Sequence, residues 1–176
     1  MAVIEAIATQ YLEADAATVT FGSIPASYEH LQLRINAKSD RSYQVDAIDL
    51  NFNSDTGANY SLHYMRGVGS SPSAWGATGV TAGSLYVALT GAPGAARYGT
   101  VIADILDYAN TNKNTTLMDV EGQTGLTTAG VFSPGVAFTS ILWDSTAAVT
   151  SIAMAVRNGT NFVRGSEFTL YGLNSA

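Results

Sequence analysis

Three pairs of acidic residues stand close enough along the chain to suggest a two-carboxylate hydrolysis: Asp46 with Asp49, Asp104 with Asp107, and Asp119 with Glu121. Glycoside cleavage needs one carboxyl as acid and a second as base or nucleophile, flanking the scissile bond. In "MDVEG" the alternation would put Asp119 and Glu121 on one face of a strand, about 7 Å apart. Pairs of this kind also arise on any polar strand face, so no catalysis is expected from them.

The stretch 50–67, "LNFNSDTGANYSLHYMRG", offers oxygen ligands for a hard cation. A calcium loop places oxygen ligands first, third and fifth, glycine sixth and a bidentate glutamate twelfth. Counting from Asn51, the ligands Asn53 and Asp55 fall correctly, but glycine comes one place late at Gly57 and the twelfth residue is Leu62. The same residues tolerate tight turns and positive φ. Asn53, Asp55, Gly57 and Asn59 are therefore expected to form the turn of a hairpin whose strands contain "LNF" and "YSLHY".

Other chemistries find less support. His30 and His63 are the only histidines, and there is no cysteine to complete a metal set or supply a thiolate. Both histidines are expected to be structural. No Gly-x-Ser-x-Gly elbow occurs, and "GAPGAARYG" lacks the Lys-Ser/Thr of a phosphate loop. No enzyme activity, cofactor or metal is expected.

Eight Lys plus Arg against fourteen Asp plus Glu give a formal charge of −6, with no basic run. A duplex-binding groove needs clustered cations to displace counterions, so nucleic acid is not an expected partner. Only 12% of residues are charged, where about 25% is usual. A surface covered by partner subunits would explain that, and so would a Thr- and Ser-rich sandwich surface. The start, "MAVIEAIATQYLEAD", has glutamates inside its apolar stretch and no basic region, unlike a signal peptide. No run approaches the roughly 20 apolar residues of a spanning helix, so no membrane partner is expected.

The elements that would position these residues are strands. In "HLQLRINAK" Leu31, Leu33, Ile35 and Ala37 share one face; in "AIDLNFN" Ile48, Leu50 and Phe52 do the same. "VIEAIATQYL", "ATVTFGSI", "SLYVALTG", "TLMDVEG", "GVAFTSILWD", "VTSIAMAVRNG" and "GSEFTLYGL" also read as strands bounded by Gly, Asn, Ser or Asp. "YGTVIADILDYAN" lacks clean alternation; a strand buried on both faces is expected, with a short helix as the alternative. Roughly ten strands at this spacing predict an all-β, antiparallel, jelly-roll-like β-sandwich, a single domain over 1–176.

Residues 67–83, "GVGSSPSAWGATGVTAG", read as a long loop, and such loops are usually functional. That loop and the N-terminal segment 2–12 are the expected contact arms, with Val3, Ile4, Tyr11, Trp75 and Val80 as the partner-contacting residues. For Trp75 a protein interface, local packing and stacking on a sugar ring are all open.

The blocks "FGSIPASYEHLQLRINAKSDRS", "LNFNSDTGANYSLHYMRGVGSS", "ILDYANTNKNTT" and "GSEFTLYGL" run in order from Phe21 to Leu173. As an ordered set they resemble a family of small virion structural proteins of tailed bacteriophages. The resemblance implies a jelly-roll-like sandwich, a place on the virion and no catalytic residues. By analogy with small β modules on phage shells it implies a homotrimer bound to the major capsid protein. The expected function is capsid decoration (cement), with a tail-fibre or spike module binding host glycans as the alternative. The expected location is the capsid surface, after assembly in the host cytoplasm.

Overall fold

A computed structural model describes residues 3–43, 45–90, 96–123 and 135–174. Among them twelve strands form. They are β1 (Val3–Tyr11), β2 (Thr18–Phe21), β3 (His30–Ala37), β4 (Val45–Phe52), β5 (Tyr60–Val68) and β6 (Ser71–Val80), then β7 (Gly83–Thr90), β8 (Gly99–Leu106), β9 (Thr115–Gln123), β10 (Gly135–Trp143), β11 (Ile152–Val156) and β12 (Glu167–Asn174).

They build two sheets, β1-β12-β3-β8-β9-β10-β5-β6 and β2-β11-β4-β7. The ladders between neighbouring strands are antiparallel. The smaller sheet covers one face of the larger, giving the antiparallel β-sandwich expected from the period-two pattern. The eight-and-four division does not by itself define a jelly roll, which distributes eight strands over two sheets.

Alternation decides what is buried. Along β3, Leu31, Leu33, Ile35 and Ala37 turn inward, and from β4 Ile48, Leu50 and Phe52 meet them. Aromatic pairs fill the ends of the core: Phe52 lies 5.5 Å from Trp143 and Phe162 lies 4.9 Å from Phe168, centroid to centroid. Tyr60 is buried without losing hydrogen bonds, since its hydroxyl accepts from Phe52 N at 2.9 Å and donates to Asp55 O at 3.2 Å.

Three expectations change. Residues 67–83 are not a loop: β6 occupies most of them, in register with β5 from Val68↔Ser71 to Tyr60↔Val80 around a turn in which Gly69 takes φ 59°. Gly, Ser and Ala at the alternating positions carry no hydrophobic contrast, which hides an edge strand from periodicity. The hairpin expected around 53–59 is instead a crossing between sheets, because β4 belongs to the smaller sheet and β5 to the larger. Finally, β8 is a strand, but only one of its faces is buried: Val101, Ala103 and Ile105 point inward while Ile102, Asp104 and Leu106 are exposed.

Candidate interaction surfaces

The outer face of the larger sheet is apolar where a free surface would be polar. Register places Ile102 beside Val120, Val120 beside Phe138 and Phe138 beside Met65, one unbroken row across β8, β9, β10 and β5. Their exposures are 48%, 52%, 52% and 59%. Leu106, Met118 and Val136 extend the patch above and below that row. Between β8 and β9 it holds a depression of about 460 Å³ whose lining includes the outward-facing Ile102, Leu106, Met118 and Val120.

Strand β9 shows how this comes about. Its inward positions are Leu117, Asp119 and Glu121, and its outward positions are Met118 and Val120. The usual polarity is inverted along "LMDVE": the acids are inside and the large apolar groups outside. Both acids share a face, as expected, but it is the face sealed between the sheets. Glu121 Oε1 accepts from Tyr86 N at 2.7 Å and from the Thr139 hydroxyl at 3.3 Å. Asp119 is 1% exposed, and no hydrogen bond of good geometry reaches either of its oxygens among the described residues. Burial first, and the Glu121 charge second, push Asp119 up to about 9 against a weaker pull from Thr139. This is a neutral interior acid, not half of a carboxylate pair facing a substrate cleft.

The other acidic pairs are engaged by neighbouring groups. Asp46 is buried and accepts from Ala47 N, Gly159 N and the Asn158 side chain at 2.8–2.9 Å. Asp49 is held by Arg157 Nε at 3.0 Å and Ser84 Oγ at 2.7 Å. Asp107 is bound by Lys113, whose hydrogen bond holds its carboxyl below the usual range, and its backbone N donates to His30 Nδ1 at 3.0 Å. Asp104 accepts from Gln32 Nε2 at 2.8 Å on the polar flank of the outer face, where Arg34 also lies 5.0 Å over the Tyr171 ring.

The 53–59 residues do converge, around donors rather than a cation. Asp55 Oδ1 accepts from Gly57 N at 2.8 Å, and Oδ2 accepts from Asn59 Nδ2 at 3.0 Å and Trp143 Nε1 at 2.7 Å. These bonds, Trp143's above all, hold the carboxyl below its ordinary range. A Cβ at Gly57 would stand 2.8 Å from Asn59 Nδ2. Asn53, at φ 51°, binds the 148–151 loop through Thr150 N at 2.8 Å and Ala148 O at 2.8 Å. Among the described residues no group of three or more His, Asp or Glu could hold a metal ion.

Of the expected contact residues, Val3, Ile4 and Tyr11 are exposed on β1, an edge strand paired only with β12. Ala2 and residues 91–95 of "GAPGAARYG" lie outside the described residues. Val80 packs against the core. Trp75 is 48% exposed but faces the same side as buried Tyr64; the ring centroids of Tyr64 and Tyr86 lie 6.0 and 5.9 Å from its own. Its ring rests against Tyr64 on β5 and Tyr86 on β7, with about half of its surface left open. His63 projects onto the outer face beside Gly76, where a Cβ would meet its Cδ2 at 2.9 Å.

Sequence reasoning missed the outer patch. The signal was present in "TVIADIL", "TLMDVEG" and "GVAFTSI", whose two alternating faces are both partly apolar. In comparisons with known proteins, no family model, curated protein or solved structure matches the chain.

Proposed function

We propose that this chain is a structural interaction protein of a phage virion, a capsid decoration protein that binds across major-capsid subunits. The observation that carries the protein-binding part is β1. It is a nine-residue edge strand with one charge, Glu5, and no proline or lysine. Natural edges are usually blunted by such residues, and an unblunted edge is a template for another chain's strand. Exposed Val3, Ile4 and Tyr11 would supply side-chain anchors beside that backbone. The ordered sequence blocks and the low charge favour a virion as the setting.

The proposed mechanism is mass action. Each docked copy adds interface that exists only when adjacent shell subunits keep their spacing, so the assembled shell is favoured over its separated parts. The test is copy number per purified virion, by quantitative mass spectrometry against the major shell subunit, for wild type and Ile4→Lys. Wild-type occupancy of the order of the shell subunit, lost in Ile4→Lys, is the expected result. A small fraction of that number in wild type would move the protein to the tail.

A glycan-binding tail module is the second reading, favoured by the half-exposed Trp75 with Arg66 and Arg157 stacked 5.4 and 4.9 Å over the neighbouring Tyr64 and Tyr86 rings. A glycan array on wild type and Trp75→Ala tests it.

A further inference from the structure

We propose that two copies of this chain pair face to face through the outer surface of the eight-stranded sheet, about a two-fold axis running along the strands between β9 and β10. The proposal uses a different surface from the β1 edge and is independent of the shell-binding reading.

Area is the first argument. The axis overlays six strands, β3, β8, β9, β10, β5 and β6, which at about 4.8 Å spacing and some seven to eight residues long share a face of roughly 29 by 26 Å, about 750 Å² before side-chain relief is counted. A stable dimer buries about 800 Å² on each partner. The largest apolar patch on an ordinary monomer is roughly 300–600 Å², and this sheet carries one row of four large apolar side chains with three more flanking it.

Symmetry is the second. One patch that meets itself closes with two-fold symmetry, whereas a trimer needs two different complementary patches. Rotation about the stated axis carries β8 over the partner copy's β5 and β9 over its β10, keeping each cross-strand row in line. The rows then match in size. Val120 comes over the second copy's Phe138, and Ile102 over its Met65, so the apolar row covers itself. In the next rows the bulky Val136 comes over Gly122, and Leu106 over Ser61.

Charge is the third. On the outward positions of β8, β9, β10 and β5 the titratable side chains are Asp104 and His63. They stand at opposite ends of one row, Asp104–Met118–Ser140–His63. The rotation therefore brings the carboxylate of each copy over the imidazole of the other, twice, and sets no like charges against each other. Packed sheets accept strand directions within about 30°, so the register holds best in the central rows.

The experiment is sedimentation equilibrium of the full chain, with far-ultraviolet circular dichroism and melting curves to confirm folding. Wild type is expected at twice the chain mass of 18.4 kDa, and Val120→Asp and Phe138→Asp at the single-chain mass with unchanged spectra. Asp104→Lys should weaken pairing at least tenfold, and Asp104→Lys combined with His63→Glu should restore it. A wild-type monomer at the highest concentration attainable, or a trimer, overturns the proposal; failure of the double variant to recover overturns the two-fold register. Ile4→Lys should pair normally, so loss of shell binding and loss of pairing are separable.

Discussion

The indole Nε1 of Trp143 donates to Asp55 Oδ2 at 2.7 Å, tying the last residue of β10 to the crossing from β4 to β5. One buried aromatic thereby anchors the only connection that carries the chain from β4 in the smaller sheet to β5 in the larger. Asp55→Ala removes that acceptor and leaves the indole N–H unpaired, at a cost of about 1–3 kcal/mol. For a chain of this size each kcal/mol lowers Tm by about 2–4 °C. Because the folded carboxyl lies below its unfolded value, near 3.9, its contribution is present above that pH and is lost as pH falls through the folded pKa. The wild-type minus Asp55→Ala difference in Tm should therefore shrink below pH 4. Calcium or a chelator should leave the wild-type Tm unmoved, since N–H donors occupy both oxygens.

Asp119 behaves oppositely. Its folded pKa is raised to about 9, so between the unfolded value near 3.9 and that pH the folded state holds a proton the unfolded state has released. Stability then falls as pH rises through this window. Asp119→Asn keeps the shape and removes the titration. It should melt a few degrees above wild type at pH 8, with the gain vanishing toward pH 4. Thermal melts across that range decide it, and equal slopes for the two proteins would refute the buried neutral acid.

How much of this was legible in the sequence differs by element. β3, β4 and β12 announce themselves because one face is apolar and the other polar, the contrast that periodicity detects. β6 could not be read: Ser, Ala and Gly alternate without contrast, and only its partner β5 makes it a strand. In β8 the pattern was visible but its meaning was not. Apolar residues on both of its faces predict burial on both sides, whereas the structure leaves one side open. Asp55 and Asn53 were legible as turn residues from their types. That the turn joins two sheets depends on long-range pairing of β5 with β10, which no local signal carries.

Gly172 shows a close approach that composition could not reveal. A Cβ there would stand 2.3 Å from the Tyr28 ring, whose hydroxyl reaches Glu5 on β1 at 3.1 Å. Gly172→Ala must displace the ring and should cost about 1–3 kcal/mol, as overpacking does. Gly22→Ala is the control, because nothing lies within 4 Å of its Cβ position and it stands beside β2, away from the outer face of the larger sheet. Urea denaturation should separate the two variants by at least 1 kcal/mol.

Trp75 and Trp143 are the two tryptophans and report on different places. Trp143 is buried against Phe52. Trp75 projects from β6 on the side shared with Tyr64, opposite to the side from which Phe138 and Met65 project. Trp75→Phe should leave a fluorescence resistant to acrylamide, and Trp143→Phe one that is readily quenched. Pairing through the outer sheet face covers Phe138 and leaves Trp75 in solvent. The quenching constant of Trp143→Phe should therefore not change between concentrated and dilute protein, nor when Val120→Asp is added. A constant that rises on dilution would place Trp75 inside the contact and move the interface to the β6 margin.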